Sequence, residues 1–365
     1  MNTGTDYITL FNADIDMVFG DIVKTCFRQP SLLKFFVQTA ARQKKAARLR
    51  QHWEEKGVHV PPLIIASITD RCNLKCSHCY ARAHNREPRP ELTGDRWAEV
   101  FSQAAGLGVS IIMLAGGEPF VRPEFLDNTR NYPELIFPVF TNGLLLKDGL
   151  TAELKKQRHV IPILSIEGFE QATDERRGGG VYRVLRQAID RLEDQGLFFG
   201  VSLTLTRANF SSLTGDEFVR SLVDSGCRVF IYVEYTPIED NTADMVLTSE
   251  QKAGIDSLRR RLRSRYNAVF VAFPGDETPY GGCLAAGRGF IHIGPDGSLE
   301  PCPFAPFSDT NVAKMSLRDA LESEFLAKLR EGHDKLTETE GGCELWANRE
   351  WVASLLHRKT KPPAS

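Results

Sequence analysis

The sequence lacks any apolar run approaching the ~20 residues that a membrane-spanning helix requires. Its opening stretch, Met1 to Leu10, lacks the basic-then-apolar pattern of an export signal. It also lacks an excess of charge of either sign: 45 Lys and Arg stand against 47 Asp and Glu, a formal net charge of −2. These absences argue against a spanning protein, a secreted one, and a nucleic-acid binder that relies on overall positive charge. No internal repeat is present, and low complexity is confined to the tail 359–365. A cytoplasmic globular protein is expected, with 42% hydrophobic and 25% charged residues. At 365 residues, one large domain and a smaller one are expected.

Eight cysteines are present: Cys26, Cys72, Cys76, Cys79, Cys227, Cys283, Cys302 and Cys343. Three of them fall within residues 72–79. Without an export signal, that crowding favours metal or cluster binding over disulfides.

The chain divides into three parts. Residues 1–60 read as helical. Ile15, Val18, Phe19 and Ile22 recur at helical spacing, and Pro30 can open a second helix. Between Ser31 and Trp53 lie six basic residues and no acidic one. The nearby Leu32, Leu33, Phe35, Phe36 and Val37 suit either a helix packed on the rest of the protein or one with peripheral membrane contact. Residues 61–240 alternate short apolar strands with amphipathic helices. The candidate strands are 63–68, 110–114, 135–140, 161–165, 200–205 and 229–235. This is the pattern of parallel β/α units, and six of them suit a partial barrel of the α/β class, a (β/α)6. Chemistry in such sheets sits at the carboxyl ends of the strands. Residues 241–365 are different: a charged helix at 248–265, a Gly- and Pro-rich stretch at 270–305 with the turn Pro295-Asp296-Gly297, and a helix near 317–329.

Each special motif follows a candidate strand. After the first comes Cys72-Asn73-Leu74-Lys75-Cys76-Ser77-His78-Cys79-Tyr80. Three thiolates on one loop can hold three irons of a cubane cluster and leave the fourth iron open. Structural zinc, the main alternative, takes four closed ligands. After the second strand comes Gly116-Gly117-Glu118-Pro119, where glycines permit a close backbone approach and Glu118 can accept hydrogen bonds from an ammonium group. Thr141-Asn142-Gly143 follows the third. After the fourth, Ser165 and Glu167 stand two residues apart on extended chain, a hydroxyl and a carboxylate suited to a sugar diol. Asp174-Glu175-Arg176-Arg177-Gly178 lies beyond.

This set resembles the radical S-adenosylmethionine (SAM) superfamily over roughly residues 63–236. The resemblance implies a [4Fe–4S] cluster on Cys72, Cys76 and Cys79, with SAM chelating the open iron. It implies that His78 and Tyr80 lie near the adenine side. Gly116, Gly117, Glu118 and Pro119 would hold the SAM amino group, beside the Asn142 turn. Ser165 and Glu167 would contact the ribose, and Arg177 would neutralise the SAM carboxylate, with Arg176 as the other candidate. Cys283, Cys302 and Cys343 around a glycine-turned hairpin resemble the SPASM/Twitch extension and imply an auxiliary [4Fe–4S] cluster. With three cysteines there, the shorter Twitch form fits better. The fourth ligand stays open between Cys26, Cys227, a non-cysteine side chain, water and substrate.

The implied activity is reductive cleavage of SAM to a 5′-deoxyadenosyl radical, which takes hydrogen from an organic substrate: a small metabolite, lipid or cofactor precursor. A reducing partner such as a flavodoxin or ferredoxin is implied as well. Peptide maturation is the alternative, although the helical first 60 residues leave little room for a winged-helix peptide-binding domain. A non-catalytic iron–sulfur carrier or sensor is the alternative of another class, and it would have no need of SAM motifs.

Overall fold

The structure is a computed structural model of the chain. It describes residues 4–26, 30–84, 89–273, 280–336 and 343–357, so the tail 359–365 lies outside the described residues. Nine strands form one sheet in the order β7-β6-β5-β4-β3-β2-β1-β8-β9. They are β1 (Leu63–Thr69), β2 (Ile111–Gly116), β3 (Phe137–Thr141), β4 (Val160–Ser165), β5 (Gly200–Leu205), β6 (Val229–Glu234), β7 (Val269–Phe273), β8 (Phe290–Ile293) and β9 (Leu299–Glu300). Neighbours from β7 through β1 to β8 pair in parallel, and β9 returns antiparallel to β8.

The six expected strands form the partial barrel in consecutive order. The strands are mostly apolar on both faces because helices cover the outside and the lumen is inside; every residue of β1 is buried. The helix Gly94–Leu107 shows the outer packing. Thr93 caps it by accepting the Arg96 amide, and Gly108 ends it at φ 92°. Its Trp97, Val100, Phe101 and Ala104 are buried. Burial of each of the three larger side chains contributes about 1.5–3 kcal/mol.

Two features differ from the expectation. β7 is an additional parallel strand; its run Val-Phe-Val-Ala-Phe sits between a charged helix and the Gly- and Pro-rich stretch. The expected helix near 317–329 is two helices, Leu317–Leu321 and Glu324–Glu331, because Ser323 caps the second by accepting the Leu326 amide. The turn at 295–297 does connect a hairpin, β8 to β9, and β8 joins the main sheet beside β1.

Helices α1 (Gly4–Thr25) and α2 (Pro30–Glu55) cover the amino ends of the strands. Phe19, Ile22, Leu32 and Phe36 pack against Ile136, Ile161, Phe198, Ile231 and Val269. Leu32 and Phe36 are thus buried in the protein, while Val37 stays 53% exposed. Arg50 is buried too, donating to the Gly108 carbonyl, Ser110 Oγ and Asn12 Oδ1. None of the described helices is long and apolar enough to cross a membrane.

Candidate active site

The carboxyl ends of β1 to β4 carry the motif residues, and the loops there are locked to one another. Gly117 N–H donates to the Thr69 carbonyl at 2.7 Å, and Glu118 N–H to the Arg71 carbonyl at 2.9 Å. A Cβ on Gly116 would lie 2.3 Å from the Thr69 oxygen, and one on Gly117 2.2 Å from the Arg71 oxygen. Both glycines therefore let the β2 turn press against the cysteine loop, a protein contact that the sequence reading did not foresee.

Glu118 is 1% exposed. Its carboxylate accepts from Phe120 N–H at 3.1 Å, Thr141 Oγ1 at 2.8 Å and Asn142 N–H at 2.7 Å. It ties the β2 turn to the Thr141-Asn142-Gly143 turn. A carboxylate has about four acceptor positions, so capacity remains for one more donor. Burial raises its pKa despite the opposing hydrogen bonds from Asn142, Thr141 and Phe120 and the charge of Arg177. Asn142 reaches the cysteine loop from the other side, donating to Asn73 Oδ1 at 2.7 Å.

Glu167 is 3% exposed and held by both candidate arginines: Arg176 Nη1 at 2.6 Å and Arg177 Nη2 at 2.5 Å. Burial alone would lower the Arg177 pKa; the charges of Glu167, Cys76 and Cys79 outweigh it and raise it. Arg176 is also tied to the cysteine loop, since its carbonyl accepts the Ser77 amide at 2.9 Å. Partial burial pushes the Cys76 thiol up, with Arg177 the first opposing charge.

His78 has φ 55°, a left-handed conformation that a residue with a Cβ rarely adopts. Its Nδ1 pairs with Glu239 at 2.7 Å, and its ring meets Tyr235 edge-on. Cys79 precedes the short helix Tyr80–Ala83, and the Tyr80 ring packs on Phe304 at 5.3 Å. Cys72, Cys76, Cys79, His78 and Tyr80 line a single cavity of about 460 Å³, which also takes in Gly116, Gly117 and Glu118. Asn142, Ser165, Arg176 and Arg177 line it as well. Pro119 is buried behind Glu118 in a short 3-10 turn.

The fit to a cubane cluster rests on the donor set. Three thiols from one loop face one cavity beside two guanidinium groups, which would offset thiolate charge. Among the described residues, no three His, Cys, Asp or Glu side chains converge on one metal ion. Cubane ligands have no such need, since each thiolate binds a different iron.

Some positioning residues carry no sequence signal. Glu91 accepts from Thr69 Oγ1 at 2.7 Å and from Asp70 N–H at 2.9 Å. Arg122, itself buried, meets Glu91 at 3.2 Å and the Ile68 carbonyl at 3.1 Å. Together they anchor the start of the cysteine loop. Ser202 and Thr204 on β5 also line the cavity. The alternation Ser202-Leu203-Thr204-Leu205, apolar outward and hydroxyl inward, was the available signal.

At the carboxyl-terminal cysteines, Cys302 and Cys343 are buried and Cys283 is partly buried. Their segments meet: the Cys283 amide donates to the Glu344 carboxylate at 3.4 Å, and the Ala286 amide to the Pro301 carbonyl at 3.1 Å. Cys26 lies in the apolar floor. Cys227 is fully buried ahead of β6, donates to the Val229 carbonyl, and has its pKa pushed up to about 12 by burial.

Residues 66–213 match the family described as the Radical SAM superfamily. The chain is 25% identical over 312 residues to an AdoMet-dependent heme synthase of Methanosarcina barkeri, covering 78% of this chain and 88% of that protein. It is 27% identical over 300 residues to the mycofactocin maturase MftC of Mycolicibacterium smegmatis, covering 76% of this chain and 74% of the relative. Among solved structures, Streptococcus suis SuiB bound to S-adenosylmethionine superposes with a TM-score of 0.61 at 19% identity, covering 80% of this chain and 71% of that one.

Proposed function

The chain belongs to the radical SAM superfamily, and from that premise we propose that its cavity is where SAM is cleaved and a small organic substrate loses a hydrogen atom. The observation that carries this reading is the single cavity shared by Cys72, Cys76, Cys79, Asn142, Ser165 and Arg177 at the ends of consecutive strands. Cys72, Cys76 and Cys79 would hold a [4Fe–4S] cluster, which would supply the electron for reductive cleavage of SAM. The protein binds, orients and excludes water. Glu118 takes the SAM ammonium with its remaining acceptor position. Ser165 faces the ribose, Arg177 meets the SAM carboxylate while Glu167 holds the arginine from behind, and His78 and Tyr80 flank the adenine. A flavodoxin or ferredoxin serves as reductant.

An auxiliary cluster on Cys283, Cys302 and Cys343 completes the reading. Glu344, which accepts the Cys283 amide, is a non-cysteine candidate for its fourth ligand. The likeness to a heme synthase favours a cofactor precursor or similar small molecule as substrate. A peptide substrate is the second reading, favoured by the likeness to MftC and to PqqA peptide cyclases. A calorimetric SAM titration of reconstituted protein separates enzyme from carrier: saturable binding is expected, and its absence leaves only the carrier. Stimulation of 5′-deoxyadenosine formation by a peptide from a neighbouring gene would select the second reading.

A further inference from the structure

The cavity continues past the SAM motifs down the barrel, and its lower half has no part in holding SAM. Below Ser165 on β4 the inward side chains are Ile163 and Ile161; on β6 they are Val233, Ile231 and Val229. Met113 and Ile111 line it from β2, and Val271 and Val269 from β7. At the bottom, α1 closes it with Ile15, Val18 and Ile22. Charged groups also border this end: Arg263 donates to Asp21, the Tyr280 hydroxyl donates to Asp14, and Arg259 lines the floor beside them. The apolar stretch from the Ser165 level to the Ile161 level spans roughly 13 Å of strand.

Closed (β/α)8 barrels fill their interior with interlocking side chains, and this partial barrel leaves its lower interior open. An unfilled apolar lumen forfeits packing stability, and water does not fill apolar voids well. We propose that the lower lumen is a subsite for a hydrocarbon arm of the substrate, a fatty-acyl chain running from the SAM end toward α1. The inference rests on the SAM-cleaving reading above and specifies the substrate class. A peptide backbone suits this lumen poorly, because its N–H and C=O groups would lie unpaired among Ile and Val side chains. The hydroxyls of Ser202 and Thr204 lie on β5, and Ser202 pairs in register with Ser165, so a polar reacting end has partners at the SAM level.

The test uses anaerobically reconstituted full-length protein and dansyl-undecanoic acid as a fluorescent probe. Unlabelled saturated carboxylates from butanoate to hexadecanoate then displace it. Each added methylene should tighten displacement roughly fourfold until the lumen is filled, after which the gain should level off. Met113→Trp should weaken probe binding by about tenfold or more. Val271→Phe, a milder filling, covers the case in which the tryptophan variant fails to fold. Absence of chain-length dependence would overturn the proposal, as would undiminished probe affinity in a variant with wild-type circular dichroism. A SAM titration of wild type reports separately on the reading beneath it, so the two failures are distinguishable.

Discussion

Replacing Glu118 with glutamine keeps the shape of the side chain and removes two of its properties: charge, and acceptor capacity on both termini. The wild-type carboxylate accepts three hydrogen bonds from Phe120, Thr141 and Asn142 while 1% exposed. A glutamine amide offers one acceptor oxygen and turns an NH2 group toward a buried donor. Bonds to an ionised group contribute about 1.5–3 kcal/mol each, and an unmet buried donor costs about 1–3 kcal/mol. The three bonds share one carboxylate and are not additive, so the expected loss is on the order of 3 kcal/mol, or roughly 4 °C in melting temperature for a chain of 365 residues. The pH dependence has a definite sign. Burial holds the folded carboxyl pKa above its unfolded value. Its contribution is therefore fully present below the unfolded pKa, near ~4.3, and is lost as pH rises through the folded value. The wild-type advantage over the glutamine variant should shrink as pH rises above the unfolded carboxyl value. SAM affinity should fall roughly 10- to 150-fold, with iron content nearly unchanged. Paired thermal melts across pH, calorimetry and iron assays measure these effects. A variant that melts with wild type, or an advantage that grows with pH, would refute the reasoning.

Arg177→Ala should weaken SAM binding by roughly 10- to 150-fold in a calorimetric titration; damage from Arg176→Ala with a silent Arg177→Ala would transfer the role to the neighbour. Gly117→Ala puts a Cβ 2.2 Å from the Arg71 carbonyl oxygen, so it should push the cysteine loop aside and lower iron retention after desalting, whereas Gly149→Ala, with nothing within 4 Å, should not. Replacing Cys283, Cys302 and Cys343 together with serine should reduce iron from about eight to about four per chain, with reductive SAM cleavage retained. About four irons in carefully prepared wild type would remove the auxiliary cluster from the account.

The sequence made the chemistry legible where ligands are close neighbours along the chain. Cys72, Cys76 and Cys79 lie on one loop, and the Glu118 and Ser165 motifs each follow a recognisable apolar strand. The six core strands were readable for the same reason. β7 was not, because a five-residue apolar run between a charged helix and a Gly- and Pro-rich stretch carries little periodicity. Contacts between distant segments were invisible: Glu91 pinning Thr69 and Asp70, Arg122 reaching back to Ile68, and Arg263 meeting Asp21. The role of Gly116 and Gly117 was legible in kind and not in target. Close approach was implied, but the partner is the cysteine loop. The apolar face of α2 could be read two ways from sequence, and packing against the barrel is what buries Leu32 and Phe36.

The central claim is tested most directly by chemical reduction of anaerobically reconstituted protein in the presence of SAM, with 5′-deoxyadenosine and methionine quantified by chromatography. Wild type should form both products in equal amounts, and the variant with Cys72, Cys76 and Cys79 all changed to alanine should form neither. Unchanged product formation by that variant would contradict the account.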